Sequence, residues 1–375
     1  VNIIDGLGND PFQGSVLIEN ERICKIYKSK TSLPQSKNAD PSLHIVDGNG
    51  NFLMPGLIDA HCHSSFDEVS SNDELFFHRN RPGLAAIIAT SNLKKILRAG
   101  VTSICDPDSI HELGYDHDKL KSVLMYHGTS DKVPRVPQQV ANQFDYYLLS
   151  GPKNEAKLSK ASGISLDSSR LVRVGNWMFD PVVQQNYDLV AIRARFGIKD
   201  TSRPTVLYAP TWGYGGGTLL KYGPHFLRTI PQKYNLIVRP HYGETNYLPE
   251  LAKMVPHNLR KWVTFVRPAH IFRKSYIDNM LIADLLISET SSMIYEYLIT
   301  RRPIIIAETE TNEVDMDDDG MSVYHIADHY RNGDDILGMI QKNLDDKSIP
   351  QDMESLLKKC FYFNDGKSTQ RGLDF

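Results

Sequence analysis

Two histidines follow predicted strands in the C-terminal two thirds of the sequence, where an imidazole could act on a bound ligand. His127 lies two residues after an apolar run at 122–125, and His241 lies three residues after the run at 236–238, with Arg239 two residues before it. Open α/β sheets bind ligands at the carboxyl ends of their strands, so both imidazoles are predicted at a ligand-binding edge. The pKa of an unperturbed imidazole lies near neutral pH, so either ring could exchange a proton with a substrate.

Hydroxyl and cationic side chains accompany these histidines. An apolar run at 285–288 leads into hydroxyl residues before a predicted helix, and N–H groups and hydroxyls at such a start suit a pyrophosphate. The candidate phosphate-binding residues are Arg239, Thr211, Ser288, Glu289, Thr290, Ser291, Ser292, Lys367 and Arg371. Each cluster alone has a structural explanation, as a helix cap or a hydrogen-bonded strand end. Their common position at the ends of successive strands, without a P-loop or a GxGxxG motif, indicates one site.

A separate chemical signal lies near the N-terminus, in the segment PGLIDAHCH at 55–63. Residues i and i+2 of a strand point to the same face, so His61 and His63 would project together from the strand's carboxyl end. Two imidazoles are suitable ligands for a divalent metal such as zinc. A catalytic zinc needs about three protein ligands and an open position, so the two histidines make half a site.

Composition narrows the class of protein. The formal net charge of −3 argues against a nucleic-acid binder, which usually carries a basic excess. The four cysteines are widely spaced without a CxxC pair, which favours reduced thiols in a cytosolic setting. No apolar run approaches the ~20 residues of a membrane span, and no signal peptide opens the chain. The expected location is the cytoplasm, with peripheral association on the inner face of the cell membrane left open.

Strand and helix patterns place these residues in two dissimilar parts of an α/β chain. The first part is predicted to begin with a hairpin of strands Ser15–Ile18 and Arg22–Tyr27, followed by a strand at His44–Val46. A parallel βαβ unit is predicted next, with buried strands at Leu53–Ala60 and Val101–Cys105 and the helix Leu84–Arg98 between them. A polar stretch at 106–121 is the best linker candidate. Apolar runs after it predict strands at Ser122–Met125, Asp145–Leu149, Leu171–Val174, Thr205–Tyr208, Leu236–Val238, Val263–Phe265, Leu285–Ser288 and Ile304–Ala307.

Residues 1–117 resemble the first portion of the amidohydrolase superfamily, through PGLIDAHCH and through AGVTSICD at 99–106. The resemblance implies hydrolysis of amide or amine bonds at one or two metals held in a (β/α)₈ barrel. It ends after about two barrel strands, and no later stretch supplies the family's remaining lysine, histidine and aspartate ligands in that setting. The first part is therefore predicted to be a β-rich segment and a partial (β/α) barrel, with a zinc half-site at His61 and His63.

Residues 120–375 resemble the CDP-glycerol glycerophosphotransferase family of teichoic-acid polymerases and primases. The matching elements, in the family's order and spacing, are HGTSDK at 127–132, YAPTW at 208–212, RPH at 239–241, ISETSS at 287–292 and DGKSTQR at 365–371. The resemblance implies a GT-B-like fold of two Rossmann-type halves with the site in the cleft between them. It implies transfer of glycerol phosphate from CDP-glycerol to a hydroxyl of a teichoic-acid-like cell-wall polymer or lipid-linked acceptor at the membrane surface, with release of CMP. Glu289, Thr290 and Glu296 depart from the family's Asp, Tyr and Asp.

The same resemblance implies roles for the site residues. His127 would be the base on the acceptor side, and His241, with Arg239 nearby, would face the leaving phosphate. Thr290, Ser291 and Ser292 would hold the diphosphate, with Lys367 and Arg371 adding positive charge, and neither a metal nor another cofactor is assigned here. The predicted domains are the N-terminal fragment 1–117, a partial acceptor half 118–200 with three strands where a complete half has about six, and a donor half 201–375.

Three alternatives stay open on the sequence alone. A non-catalytic nucleotide-binding protein could retain the donor half and bind CDP-glycerol without product. A metal-dependent amidohydrolase would need the ligands that the first part lacks. A GT-B glycosyltransferase that uses a nucleotide sugar would share the fold, although the HG-x-x-x-K and Arg-Pro-His elements fit it less well.

Overall fold

The computed structural model divides the chain into two units, Val1–Tyr115 and Asp116–Phe375. The described residues are 1–20, 22–28, 44–60, 62–65, 81–104, 106, 122–125, 128–131, 144–163, 165, 168–213, 216–266, 277–309 and 320–375. His61, Cys105, His127, Lys132 and all of the predicted linker except Asp106 therefore lie outside the described residues.

The first unit opens on a four-stranded sheet of order β3-β2-β1-β4, with β1 at Asn2–Ile3, β2 at Phe12–Glu19, β3 at Arg22–Lys28 and β4 at Phe52–Leu53. The antiparallel pair β2–β3 confirms the predicted hairpin. The strand predicted at His44–Val46 was wrong. Asp47 accepts a hydrogen bond from the N–H of Asn49 and turns the chain there, so β1 takes Phe52–Leu53 as its parallel partner instead.

A strand, a helix and a parallel strand follow, as predicted: β5 at Leu57–Asp59, α1 at Pro82–Arg98 and β6 at Val101–Ile104. Both strands are shorter than predicted, and the expectation that they are buried was wrong. Leu57 and Ile58 are exposed, because β5 pairs with β6 in a sheet of two strands. Among the described residues, this small sheet has no neighbours like those that cover the strands of a parallel barrel.

The second unit contains two parallel sheets. The smaller has the order β7-β8-β9, with β7 at Val123–Met125, β8 at Tyr146–Leu149 and β9 at Leu171–Arg173. These are the three strands predicted for the acceptor half. The helix α2 (Pro152–Ser162) follows β8 and ends at Gly163 in the left-handed region (φ 70°). Tyr147 and Leu149 pack with Leu158 of that helix in a small core.

The larger sheet has six strands, order β12-β11-β10-β13-β14-β15, at Thr205–Tyr208 (β10), Asn235–Val238 (β11), Val263–Phe265 (β12), Leu285–Ser288 (β13), Ile304–Ala307 (β14) and Asp328–Tyr330 (β15). Successive side chains enter opposite cores: Leu286 packs on one face, and Leu285 and Ile287 pack on the other. The first five strands confirm the sequence pattern. β15 was missed, because its Asp-His-Tyr sequence lacks an apolar run.

Helices cover both faces of this sheet. They are α3 (Asp180–Val183), α4 (Leu189–Arg195), α5 (Leu219–Thr229), α6 (Leu248–Lys253), α7 (Asp278–Ile282), α8 (Met293–Glu296), α9 (Ile336–Asp345) and α10 (Ile349–Cys360). The last helix, α11 (Ser368–Asp374), lies beside the smaller sheet. Across the described part of the chain, every helix is too short or too polar to cross a membrane.

The end of the chain returns to the smaller sheet. The N–H of Tyr362 donates to the carbonyl of Ser150 at 3.0 Å, and a Cβ on Gly151 would lie 1.9 Å from the carbonyl oxygen of Cys360. The segment after α10 therefore passes too close to Gly151 for any larger residue. The predicted domains 118–200 and 201–375 thus lie in one unit, and the last residues of the second pack on the first.

Replacing Leu286 with Ala should lower the free energy of unfolding by about 2–5 kcal/mol, because the side chain is fully buried in a central strand. The matched control is Leu220→Ala in α5, where the side chain is 54% exposed and the expected change is below about 0.5 kcal/mol. Urea unfolding of both variants measures the difference. Equal midpoints would contradict the assignment of β13 to the core.

Candidate functional site

The site lies at the carboxyl ends of three neighbouring strands of the larger sheet. Tyr208, Val238 and Ile287, near the ends of β10, β11 and β13, are aligned in the parallel register. The polar clusters begin directly after these residues, so the strand order β11-β10-β13 brings them to one edge. This confirms the predicted common edge for the donor-side clusters.

Glu289 holds the loop that follows β10. Its buried carboxylate accepts hydrogen bonds from the N–H groups of Thr211 at 2.7 Å and Thr218 at 3.1 Å, and from the Thr218 hydroxyl at 3.3 Å. Gly217 closes the loop by donating its N–H to the carbonyl of Trp212 at 3.0 Å. Burial, and next the charge of Glu289, raise the pKa of Tyr208, whose hydroxyl lies 2.9 Å from the Thr218 hydroxyl. Glu289 therefore positions this loop.

Ser288 also holds the strand ends together. Its fully buried hydroxyl donates to the carbonyl of Ala209, at the end of β10, at 2.6 Å. The sequence predicted Ser288 and Glu289 as phosphate-binding residues. In the structure, these contacts join β13 to β10 and to the loop carrying Thr211, which is a supporting role.

His241 and Arg239 approach the same edge from β11. Arg239 is buried, and its guanidinium lies 3.1 Å from the sulfur of Met293 at the start of α8. The N–H of Gly243 donates to Nδ1 of His241 at 3.2 Å, and the His241 ring centroid lies 5.7 Å from that of Trp212. Since a backbone N–H can only donate, Nδ1 is the acceptor, and in the neutral ring the proton resides on Nε2.

The hydroxyl cluster after β13 lies between Glu289 and α8. Thr290 is buried, whereas Ser291 and Ser292 are half-buried, and the Ser291 hydroxyl accepts the N–H of Met293 at 3.3 Å. The predicted helix begins here but has only four residues before a 3₁₀ turn, so its dipole is small. Any affinity for an anion must come from the hydroxyls and N–H groups themselves.

The loop after β7 packs on this cluster. A Cβ on Gly128 would lie 2.7 Å from the Cβ and 2.9 Å from the hydroxyl of Ser292, so only glycine permits this approach. His127 lies outside the described residues, but it directly precedes Gly128 in the chain. The predicted acceptor-side element therefore comes against the predicted diphosphate-binding element.

A buried ion pair fixes that contact. The carboxylate of Asp131, three residues after Gly128, lies 2.6 Å from Nζ of Lys153 in α2. The Asp131 side chain is 1% exposed and the Lys153 side chain 2%. The hydroxyl of Tyr295 in α8 donates to both Asp131 oxygens, at 2.6 and 2.5 Å, and Lys153 donates to the carbonyl of Met321 at 2.9 Å. Burial, and then the charge of Asp131, raise the pKa of Tyr295, so its hydroxyl stays protonated.

Sequence reasoning missed this network. Asp131 stood inside the HGTSDK element and Tyr295 shortly after the ISETSS element, both without a predicted role, and Lys153 belonged to no predicted cluster. A charged residue just after the helix-starting Gly-Pro pair at 151–152 was the available signal. It gave no indication that Lys153 pairs with Asp131, after the preceding strand, or that Tyr295 from the larger sheet's side joins them.

In the part of the chain that the structure describes, the C-terminal basic element lies on the smaller sheet's side of the unit, where Phe375 contacts Tyr146 of β8. Arg371 pairs with Asp365 through its two terminal nitrogens and lies over the Phe363 ring, and this pairing lowers the pKa of Asp365. Asp180 accepts the N–H groups of Ser368 at 3.0 Å and Thr369 at 2.7 Å. Lys367 is exposed.

The N-terminal half-site is described only in part. His61 lies outside the described residues, and Asp106 accepts hydrogen bonds from the N–H and hydroxyl of Ser64, next to His63, at 2.8 and 2.6 Å. Within the described residues, no group of three or more His, Cys, Asp or Glu side chains could hold a metal ion. The zinc half-site stays a prediction.

The family model for CDP-glycerol:poly(glycerophosphate) glycerophosphotransferases matches residues 109–375. The chain belongs to that family. It is accordingly a transferase of the glycerophosphotransferase class, as the motifs of residues 120–375 indicated. No curated protein matches the chain. The amidohydrolase resemblance of residues 1–117 lies almost wholly outside the matched range and stays a prediction.

Solved structures show the fold. A histidine-to-alanine variant of the wall teichoic acid polymerase TagF is 16% identical over 70% of this chain and 69% of that chain, with a TM-score of 0.52. A histidine-to-asparagine variant of TagF soaked with CDPG is 15% identical over 70% and 68%, with a TM-score of 0.50. The predicted α/β, GT-B-like fold is confirmed.

Replacing Asp131 with Ala should lower the free energy of unfolding by about 3–5 kcal/mol, because it leaves the buried Lys153 cation uncompensated. The double variant Asp131→Ala/Lys153→Met should recover much of that loss, since it removes the charge as well. Breaking the exposed pair Lys253–Glu250 by Lys253→Ala is the control, with an expected change of at most about 1 kcal/mol. Thermal and urea unfolding measure all three. A double variant no more stable than Asp131→Ala would contradict the role of the ion pair.

Proposed function

We propose that this chain transfers glycerol phosphate from CDP-glycerol to a hydroxyl of a teichoic-acid-like polymer or lipid-linked acceptor at a membrane surface, releasing CMP. Membership of the family supports the reaction class. The observation that carries the proposal is the contact of Gly128 with Ser292, because it joins the element containing His127 to the hydroxyl cluster of the donor side. A donor diphosphate at that cluster would lie beside the acceptor-side base.

The chemistry follows from these positions. His127 takes the proton of the acceptor hydroxyl, and the resulting oxygen attacks the β-phosphorus of CDP-glycerol. The bond between that phosphorus and the bridging oxygen breaks, and CMP leaves with the bridging oxygen. His241, which carries its proton on Nε2 in the neutral ring, protonates or hydrogen-bonds that leaving oxygen.

The donor is held by groups at the same edge. Ser291 and Ser292 offer half-buried hydroxyls to the diphosphate, with Thr290 beside them. Arg239 supplies positive charge, and the Thr211 hydroxyl a hydrogen bond, to the developing negative charge. Ser288 and Glu289 keep the strand ends and the loop in place, and Lys367 and Arg371 contribute charge at longer range.

His127→Ala should reduce the transfer rate roughly 10²–10⁴-fold, the usual contribution of a general base, while the dissociation constant for CDP-glycerol stays near that of the wild type. Turnover is followed by CMP release, and donor binding by calorimetry. His257→Ala, which removes an exposed histidine, is the control and should change neither quantity. An equal collapse of donor binding in His127→Ala would make His127 a structural or donor-binding residue.

Ser291→Ala and Ser292→Ala should each weaken CDP-glycerol binding about tenfold or more, because each removes a hydrogen bond to a charged group. Alanine keeps the Cβ of Ser292 that packs on Gly128, so the fold of the loop is preserved. Ser202→Ala, at an exposed position, is the matched control. Unchanged affinity in both variants would remove the assignment of the diphosphate to this cluster.

A further inference from the structure

The loops that follow β10 and β11 are tied to each other by hydrogen bonds on either side of His241. The N–H of His241 donates to the carbonyl of Pro210 at 3.1 Å, and the N–H of Glu244 donates to the carbonyl of His241 at 2.9 Å. The Glu244 side chain then returns to the first loop, where its carboxylate accepts the N–H of Gly213 at 2.8 Å. The two segments thus form a closed ring of covalent and hydrogen bonds, with Trp212 in one arc and His241 in the other.

The backbone of Trp212 is fixed through the residues on both sides of it. The N–H of Thr211 donates to the buried Glu289 carboxylate at 2.7 Å, and the N–H of Gly213 donates to Glu244. The two carboxylates reach the loop from different strands, Glu289 from the end of β13 and Glu244 from the loop after β11. A Cβ on Gly213 would lie 3.3 Å from Oε1 of Glu244, so a larger residue would press on this contact. The position of Trp212 is therefore set partly by the loop after β11.

The indole of Trp212 contacts the ring of His241. The two ring centroids lie 5.7 Å apart with the planes inclined by 32°, a separation at which aromatic rings attract each other. Trp212 is 42% exposed, so filling the core does not explain a large apolar side chain at this position. The N–H of Gly243 donates to Nδ1 of His241, and a ring turned by about 180° around its Cβ–Cγ bond would present a carbon to that N–H instead. The two contacts together select one orientation of the imidazole.

We propose that Trp212 and Glu244 are positioning residues for His241. The indole holds the face of the imidazole, and Glu244 holds the backbone that carries the indole, so that Nε2 of His241 keeps its direction toward the leaving phosphate. The proposal rests on the proposed function for the role of His241, and both residues act through that ring. A displacement of about 1 Å in a reacting group can lower a rate roughly 100-fold, so the loss of either contact should be visible in turnover.

Trp212→Ala and Glu244→Ala should each lower kcat for CMP release about tenfold or more, with the KM for CDP-glycerol within about twofold of the wild type. Trp212→Phe and Glu244→Gln should retain most of the rate, because a phenyl ring can still pack on His241 and an amide oxygen can still accept the N–H of Gly213. In a His241→Ala background, neither alanine variant should lower the rate further, since the effects of residues that act through one group do not add. An additional loss of about tenfold in that background would overturn the proposal.

The ring signals of His241 in NMR spectra of the full chain give a readout that needs no turnover, and the spectrum of His241→Ala assigns them. Trp212→Ala should move the carbon-bound ring protons toward the values of free histidine, because the neighbouring indole is removed, and Glu244→Ala should move them in the same direction. Glu250→Ala, which removes an exposed glutamate paired with Lys253, is the matched control and should leave these signals and the rate unchanged. Wild-type signals in Glu244→Ala would overturn the proposal whatever the enzyme's activity. Shifted signals in a chain that never consumes CDP-glycerol would uphold the positioning of His241 and contradict the transfer function.

Discussion

The buried contact of Asp131, Lys153 and Tyr295 is the interaction on which the rest of the site depends. Asp131 follows the first strand of the smaller sheet, Lys153 lies in the helix after the second, and Tyr295 lies in the helix after β13 of the larger sheet. Charges so deeply buried are tolerated only when paired and hydrogen-bonded, so this geometry has few alternatives. The network therefore fixes residues 128–131, which follow His127 in the chain, against the hydroxyl cluster.

The donor-side geometry depends in turn on a second buried carboxylate. Glu289 stands where the family resemblance leads one to expect the shorter Asp, and its carboxylate reaches two N–H groups of the loop after β10. That loop carries Thr211 and Trp212, and Trp212 lies beside His241. Glu289, which the sequence predicted to contact the ligand, instead binds the backbone of this loop and so determines where Thr211 and Trp212 lie.

The sequence predicted the larger sheet well because its strands are continuous apolar runs that end in Gly, Pro or polar clusters. Because His241, Thr211 and Ser291 each follow one of these parallel strands, the strand pattern alone was enough to predict that they lie at one edge of the sheet. The errors have physical causes. The strand β15 was missed because it is polar, and β5 and β6 are exposed because they form a sheet too small to bury them. His44–Val46 is not a strand, because β1 pairs instead with Phe52–Leu53, after the turn at Asp47. The role of Asp131 depended on its pairing with Lys153 in another element, which no local pattern indicates. Arg371 pairs with Asp365 of its own element, a local contact that the sequence interpretation did not consider.

The acceptor side has three strands in the described residues, so donor binding without transfer is the main competing function. The most direct measurement incubates the full chain with CDP-glycerol labelled in its glycerol, with and without a glycerol-ended glycerol phosphate oligomer. We expect CMP only in the presence of the oligomer, and one labelled unit added to it for each CMP released. Bound CDP-glycerol with neither CMP nor an elongated oligomer would contradict the transferase function and leave a nucleotide-binding protein.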